Sequence, residues 1–176
     1  MNDADFQIFF IANILSNIIA ILILIAAWLR PPIARVAFVL IFSIACWVNW
    51  QTVIVIPEAY QTFAQVAVLP WYQQFIQGWF RDHTLLLVGF IATYQGLIAM
   101  ALLGRGWVYK AALLAGTIFL LAVIPLGFGS AFPCTLILAI ALILLWRRDV
   151  PLFSNKLPVM HHGHGEVSNH PDLQPD

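Results

Sequence analysis

The side chains of this sequence that could do chemistry are few, and most carry no charge. Asn13, Ser16 and Asn17 lie one helical turn apart and so share a face. Ser43, Trp47, Asn49, Trp50 and Gln51 gather in a second apolar segment, and Thr93, Tyr94 and Gln95 in a third. Counting along each helix from its outer end puts Asn13, Asn17, Asn49, Tyr94 and Gln95 at roughly 10–17 Å depth. Three helices are thus expected to bring amide and phenol groups into one layer. Two readings of that layer stand side by side. It is interhelical hydrogen bonding, worth about 0.6 kcal/mol per contact. Or it is a pocket for a neutral amphipathic ligand, a quinone-like molecule or a lipid, bound by Asn13, Asn17, Asn49, Tyr94 and Gln95 with Trp47 and Trp50 as walls.

The ionisable residues cluster outside the apolar segments. Glu58, Arg81, Asp82 and His83 share one connecting stretch. A histidine beside an aspartate can act as acid or base. The same residues also make a solvated helix entrance, with Asp82 favoured at a helix N-terminus. Near the C-terminus, His161, His162, His164 and His170 stand in a polar segment with interspersed glycines. Closely spaced histidines can hold zinc, copper or nickel, but a flexible tail offers no preformed geometry. No ionisable residue falls well inside an apolar segment, which argues against an ion-coupled transporter.

Other chemistries find no support. The sequence has no phosphate-binding glycine loop, HExxH, nucleophile elbow or haem-attachment CxxCH. Cys46 and Cys134 are far apart and read as small packing residues. Formal net charge is zero, so nucleic acid is not an expected partner. The chain is 62% hydrophobic and 9% charged, where a soluble domain carries about 25% charged residues. Eight basic and eight acidic residues cannot cover a chain of this size in water, so the lipid bilayer is its expected solvent.

The elements that must position these groups follow from the breakers. Five apolar segments are expected as spans, at about residues 6–28, 36–56, 84–104, 108–126 and 132–146. The last two share one apolar tract interrupted by Pro125, Gly127, Gly129 and Pro133, a density that makes a turn. Five crossings put Arg30, Arg35, Arg105, Lys110, Arg147, Arg148 and Lys156 on one side and Arg81 on the other. That bias places the N-terminus outside and the C-terminus in the cytoplasm. Residues 58–80 are too glutamine-rich to span. Instead Trp71, Phe75 and Trp79, with Tyr72, Ile76 and Phe80 one residue on, form an aromatic stripe at helical spacing. An amphipathic helix lying in the outer interface, over the polar layer, is the expectation. Residues 149–176 read as a disordered cytoplasmic tail after a helical bundle over residues 1–148.

From about Val36 to Arg148 the chain resembles the DoxX-like family of small bacterial membrane proteins. The likeness lies in the order of parts. A helix and an interfacial segment precede a helix with Ala92-Thr93-Tyr94-Gln95-Gly96-Leu97. A basic turn from Arg105 to Lys110 follows, then an apolar tract with Ile124-Pro125-Leu126-Gly127. Gln95 stands where the resemblance leads one to expect an acidic residue, and an extra helix comes first. What the resemblance implies is a four-helix core in a bacterial inner membrane. Some members of the family are linked to membrane oxidoreductase complexes. Two functions are therefore expected in order. The first is a structural or accessory subunit, held to other membrane subunits or to its own copies by small-residue faces such as Ala12, Ser16 and Ala20. The second is a binding protein or redox-enzyme subunit using the polar layer.

Overall fold

A computed structural model describes residues 3–66, 69–125 and 132–148. Five longer helices carry the fold: α1 (Asp3–Leu29), α2 (Pro31–Val55), α5 (Thr84–Leu102), α6 (Trp107–Val123) and α7 (Cys134–Trp146). Between α2 and α5 the chain makes a 3-10 turn over Pro57–Thr62, then two short helices, α3 (Phe63–Val66) and α4 (Pro70–Phe75). The expected tail, with His161, His162, His164 and His170, lies outside the described residues, as does the turn at residues 126–131.

Composition explains the helices, and proline sets several of their ends. Pro31 and Pro32 open α2 and Pro70 opens α4, where a missing N–H costs nothing. Gly106 turns the chain between α5 and α6 at φ 57°, a conformation that a side chain would oppose. Three helices, over Phe10–Leu29, Pro31–Val55 and Thr84–Leu102, are long and apolar enough to cross a membrane. Helices α6 and α7 are shorter, at 17 and 13 residues. At 1.5 Å per residue α7 is only about 20 Å long, against a hydrocarbon core of about 30 Å.

The core is built from small residues. Ala20, Ala27, Ala34, Ala92, Ala139 and Ala141 have no exposed surface, and their size lets helix backbones approach closely. Helix α2 packs chiefly on α5, and α7 lies between α6 and α1. At Gly116 of α6, a Cβ would come within 3.0 Å of Leu142 and 3.2 Å of Phe42. Large apolar side chains point the other way: Phe90, Met100 and Trp107 are 70%, 72% and 84% exposed. Water penalises such a surface and lipid does not.

Arginines close the end of the bundle where α1, α5 and α7 finish. Arg35 is 1% exposed. Its Nε donates to the Leu102 carbonyl at 2.7 Å and its Nη2 to the Gly104 carbonyl, so it takes carbonyls left over at the end of α5. The guanidinium also lies 4.0 Å from the centre of the Tyr109 ring. Arg148 does the same for α1, donating from Nη1 to the Trp28 carbonyl at 2.6 Å. The sequence reading started the second segment at Val36 and so left Arg35 outside it. Helix α2 starts five residues earlier, at Pro31, and carries Arg35 into the core.

Candidate functional site

At the opposite end of the bundle the elements leave a cavity of about 370 Å³. Helix α2 contributes Asn49 and the 3-10 turn Tyr60; α3 gives Phe63 and α4 gives Tyr72 and Phe75. The wide turn after α4 adds Ile76 and Phe80. Helix α5 supplies Leu87, Val88, Ile91 and Gln95; α6 supplies Phe119, Leu120 and Val123; α7 supplies Thr135.

The aromatic stripe forms the roof, but the six residues expected on one face divide. Ile76 and Phe80 are buried and Tyr72 is half-buried, Phe75 lines the cavity with part of its ring exposed, and Trp71 and Trp79 face outward. The expected continuous helix is interrupted. Residues Ile76–Phe80 form a wide π-type turn with a kink at Gly78 (φ −98°, ψ −113°). The kink lets the segment bend over the bundle, and three bonds hold it there. Tyr72 donates to the Ala122 carbonyl at 3.2 Å, Gln61 to Thr84 Oγ1 at 3.5 Å, and Thr84 to the Phe80 carbonyl at 2.9 Å.

Inside, three polar side chains make a relay. The Tyr60 hydroxyl donates to Asn49 Oδ1 at 2.8 Å, and Asn49 Nδ2 donates to Gln95 Oε1 at 2.8 Å. Gln95 is 5% exposed and Tyr60 8%. Phe63 and Phe80 stand edge-on to the Tyr60 ring at 5.8 and 6.4 Å and hold it in place. Burial pushes the Tyr60 and Tyr72 phenols above their ordinary range, because the anion would lose its hydration. On α7, the buried Thr135 Oγ1 faces the cavity with no hydrogen-bond partner among the described residues.

The expected single layer therefore divides. Asn49 and Gln95 meet and line the cavity. Tyr94 does not line it; its hydroxyl reaches toward the Ala115 carbonyl at 3.4 Å, and its ring sits 6.3 Å from Phe119. Asn17 turns back along its own helix, donating to Asn13 Oδ1 at 3.1 Å and to the Asn13 carbonyl at 2.8 Å. Among the described residues, none of α1 lines the cavity. Trp47 and Trp50 are not walls. Trp47 is 64% exposed, and Trp50 leans outward over Gly89 beside Leu85, Leu86, Phe90 and Thr93.

The sequence reading missed Tyr60 and Thr135. Tyr60 had a signal: a lone phenol just beyond the end of α2, eleven residues after Asn49. Thr135 had only its place one residue into the last helix.

Glu58, Arg81, Asp82 and His83 do not line the cavity. Arg81 and Asp82 lie 3.6 Å apart with both side chains about two-thirds exposed (67% and 66%), and such a pair adds little. The His83 ring stacks on Trp79 at 4.3 Å, and its Nδ1 is 2.9 Å from the Trp79 carbonyl. Among the described residues no group of three or more His, Cys, Asp or Glu could hold a metal ion.

Comparison with protein-family models, with curated proteins and with solved structures gives no match to this chain.

Proposed function

We propose that the chain is a multi-pass membrane protein that binds a neutral amphipathic molecule, quinone-like or lipid-like, in the cavity beneath the aromatic roof. One observation carries the reading: the Tyr60–Asn49–Gln95 relay stands in a cavity otherwise walled by aromatic and aliphatic side chains. A few convergent polar groups in an apolar hollow are what small-molecule sites have in common. Trapping apolar molecules from purified protein, with identification by mass spectrometry, tests it. Wild type should retain a stoichiometric small molecule. The Asn49→Leu, Gln95→Leu double variant should lose it at nearly unchanged melting temperature. Wild-type protein that carries nothing above bulk lipid composition would count against the reading.

The accessory-subunit reading ranks second. Its footing was the small-residue track of α1, and within the chain Ala20 of that track is already fully covered. The extra helix still presents Ile11, Leu15 and Leu22 outward at 63%, 56% and 59% exposure, a surface that other membrane subunits or a second copy could cover.

The same proposal includes five crossings with the arginine-capped end in the cytoplasm of a bacterial inner membrane and the roof outside. The charge bias supports the orientation. The bonds of Arg35 and Arg148 to the ends of α5 and α1 fit it, because they gather those helix ends on one side. Single cysteines at Trp107, which is 84% exposed, and at Glu58, with Cys46 and Cys134 replaced by alanine, would report it in intact cells. Only the Glu58 position should react with an impermeant maleimide. Labelling at Trp107 would sink the orientation. Kinship with the DoxX-like proteins is part of the proposal and extends to the α2, α5, α6 and α7 core.

A further inference from the structure

We infer that the cavity selects a molecule presenting a carbonyl oxygen, because both polar groups it leaves open can donate and the amide among them can do nothing else. The inference rests on the binding reading above and narrows its ligand class. The direction of the relay decides it. Tyr60 gives its proton to Asn49 Oδ1, and Asn49 gives one of its own to Gln95 Oε1. Each bond uses up an amide oxygen. The relay then ends on Gln95 Nε2, whose two N–H groups have no acceptor among the described residues. Turning Gln95 alone would set its amino group against that of Asn49 and break the relay.

A second, independent group agrees. Thr135 is 8% exposed, lines the same cavity from a different helix, and has a hydroxyl without a partner among the described residues. A buried hydroxyl left dry is costly. The other phenol of the cavity, Tyr72, has spent its proton on the Ala122 carbonyl. An apolar ligand with one acceptor oxygen would take a hydrogen bond from Gln95 and fit its body against Phe63, Phe80 and Phe119. A ligand whose polar group only donates would leave the Gln95 N–H groups unpaired and find an acceptor only in the Thr135 oxygen, and a plain hydrocarbon would leave both protein groups unpaired.

Three probes of nearly one shape test this: benzophenone (acceptor only), benzhydrol (donor and acceptor) and diphenylmethane (neither). Each competes with radiolabelled benzophenone for the full chain in lipid nanodiscs. Gln95→Leu and the near-isosteric Thr135→Val are measured alongside, and each probe's concentration is taken in the lipid phase so that its partition into lipid drops out. Wild type should prefer the ketone to the hydrocarbon by about tenfold, the scale of one net hydrogen bond. In Gln95→Leu the preference should collapse, and Thr135→Val, the variant least disturbing to packing, should reduce it. Equal affinity for ketone and hydrocarbon in wild type overturns the inference and leaves the binding reading standing. Preference for the alcohol also overturns it, since the relay would then run the other way. Absence of saturable benzophenone binding overturns both.

Discussion

Where α1 and α5 end, two arginines from other helices take their terminal carbonyls, and Arg35 does so with 1% of its surface exposed. Where the roof crosses the opposite end, a threonine hydroxyl stays buried without a partner among the described residues, and a space of about 370 Å³ remains beside an amide relay. The first end satisfies its backbone by side chains reaching between helices. The second leaves polar capacity unspent. Low dielectric magnifies both conditions: a made bond there is strong and an unmade one expensive. The contrast teaches where each end puts its stability. The arginine end locks the helices to one another. The roof end accepts a standing cost, which a bound molecule can repay.

Breaking the arginine end should have the largest effect. Arg35→Leu strands the carbonyls of Leu102 and Gly104 and removes the contact with Tyr109. The expected loss is about 3 kcal/mol, from charged hydrogen bonds. Unfolding by SDS titration in mixed micelles measures it. A loss below about 1 kcal/mol would mean that headgroups or water reach those carbonyls. Arg35→Lys should recover only part, because an ammonium lacks the planar fork.

Overpacking comes next. Gly116→Val would drive branched atoms into Leu142 and Phe42, which lie 3.0 and 3.2 Å from a bare Cβ. It should cost about 2 kcal/mol by the same titration. A neutral result would show that α6 and α7 can slide apart.

The relay should cost less than either. Asn49→Leu removes two side-chain bonds and adds apolar volume beside a cavity that can hold it. The expected loss is about 1 kcal/mol or less, as for other hydrogen bonds between membrane helices. A loss as large as that of Arg35→Leu would erase the difference between the two ends.

Alkaline pH sharpens the same comparison. Burial raises the Tyr60 phenol above its ordinary value of 10.0. A raised folded value means that the native state holds the proton more tightly than the unfolded chain. Its contribution is therefore complete below about pH 10 and is lost as pH rises through the higher folded value. Stability should fall above about pH 10, and Tyr60→Phe should soften the fall, with Tyr72→Phe measured beside it because that phenol is raised too. An unchanged profile in both variants would mean that neither phenol controls that limb. The smallest effect belongs to Trp47→Ala. With Trp47 64% exposed, stability and ligand retention should both stay within about 0.5 kcal/mol of wild type, as at a surface position. Loss of retention would return Trp47 to the site.

Much of this was legible in residues. The helix boundaries follow from Pro31, Pro70, the Arg81–His83 stretch and Gly106, because proline and glycine act within their own few residues. That Tyr72, Ile76 and Phe80 keep to one side was legible because neighbouring turns of one helix share a face. Even the error at Trp47 could have been avoided. At about 100° per residue, an inward Asn49 sets Trp47 about 200° away and Trp50 about 100° away. The same turn separates Gln95 from Tyr94.

Sequence by itself determined the helical class, the apolar exterior and the breakers, since each depends on a local repeat or on composition. Only the tertiary structure decided which faces meet. Depth along a helix says nothing about its neighbour across the bundle, so Asn13 and Asn17, expected beside Asn49, went to a helix packed against α7 and α2. Tyr60 and Thr135 entered the cavity because chain turns far apart in sequence close over the same space. Arg35 joined the core for the same reason. Its partners, Leu102 and Gly104, lie 67 and 69 residues away, and no local pattern announces a bond over that distance.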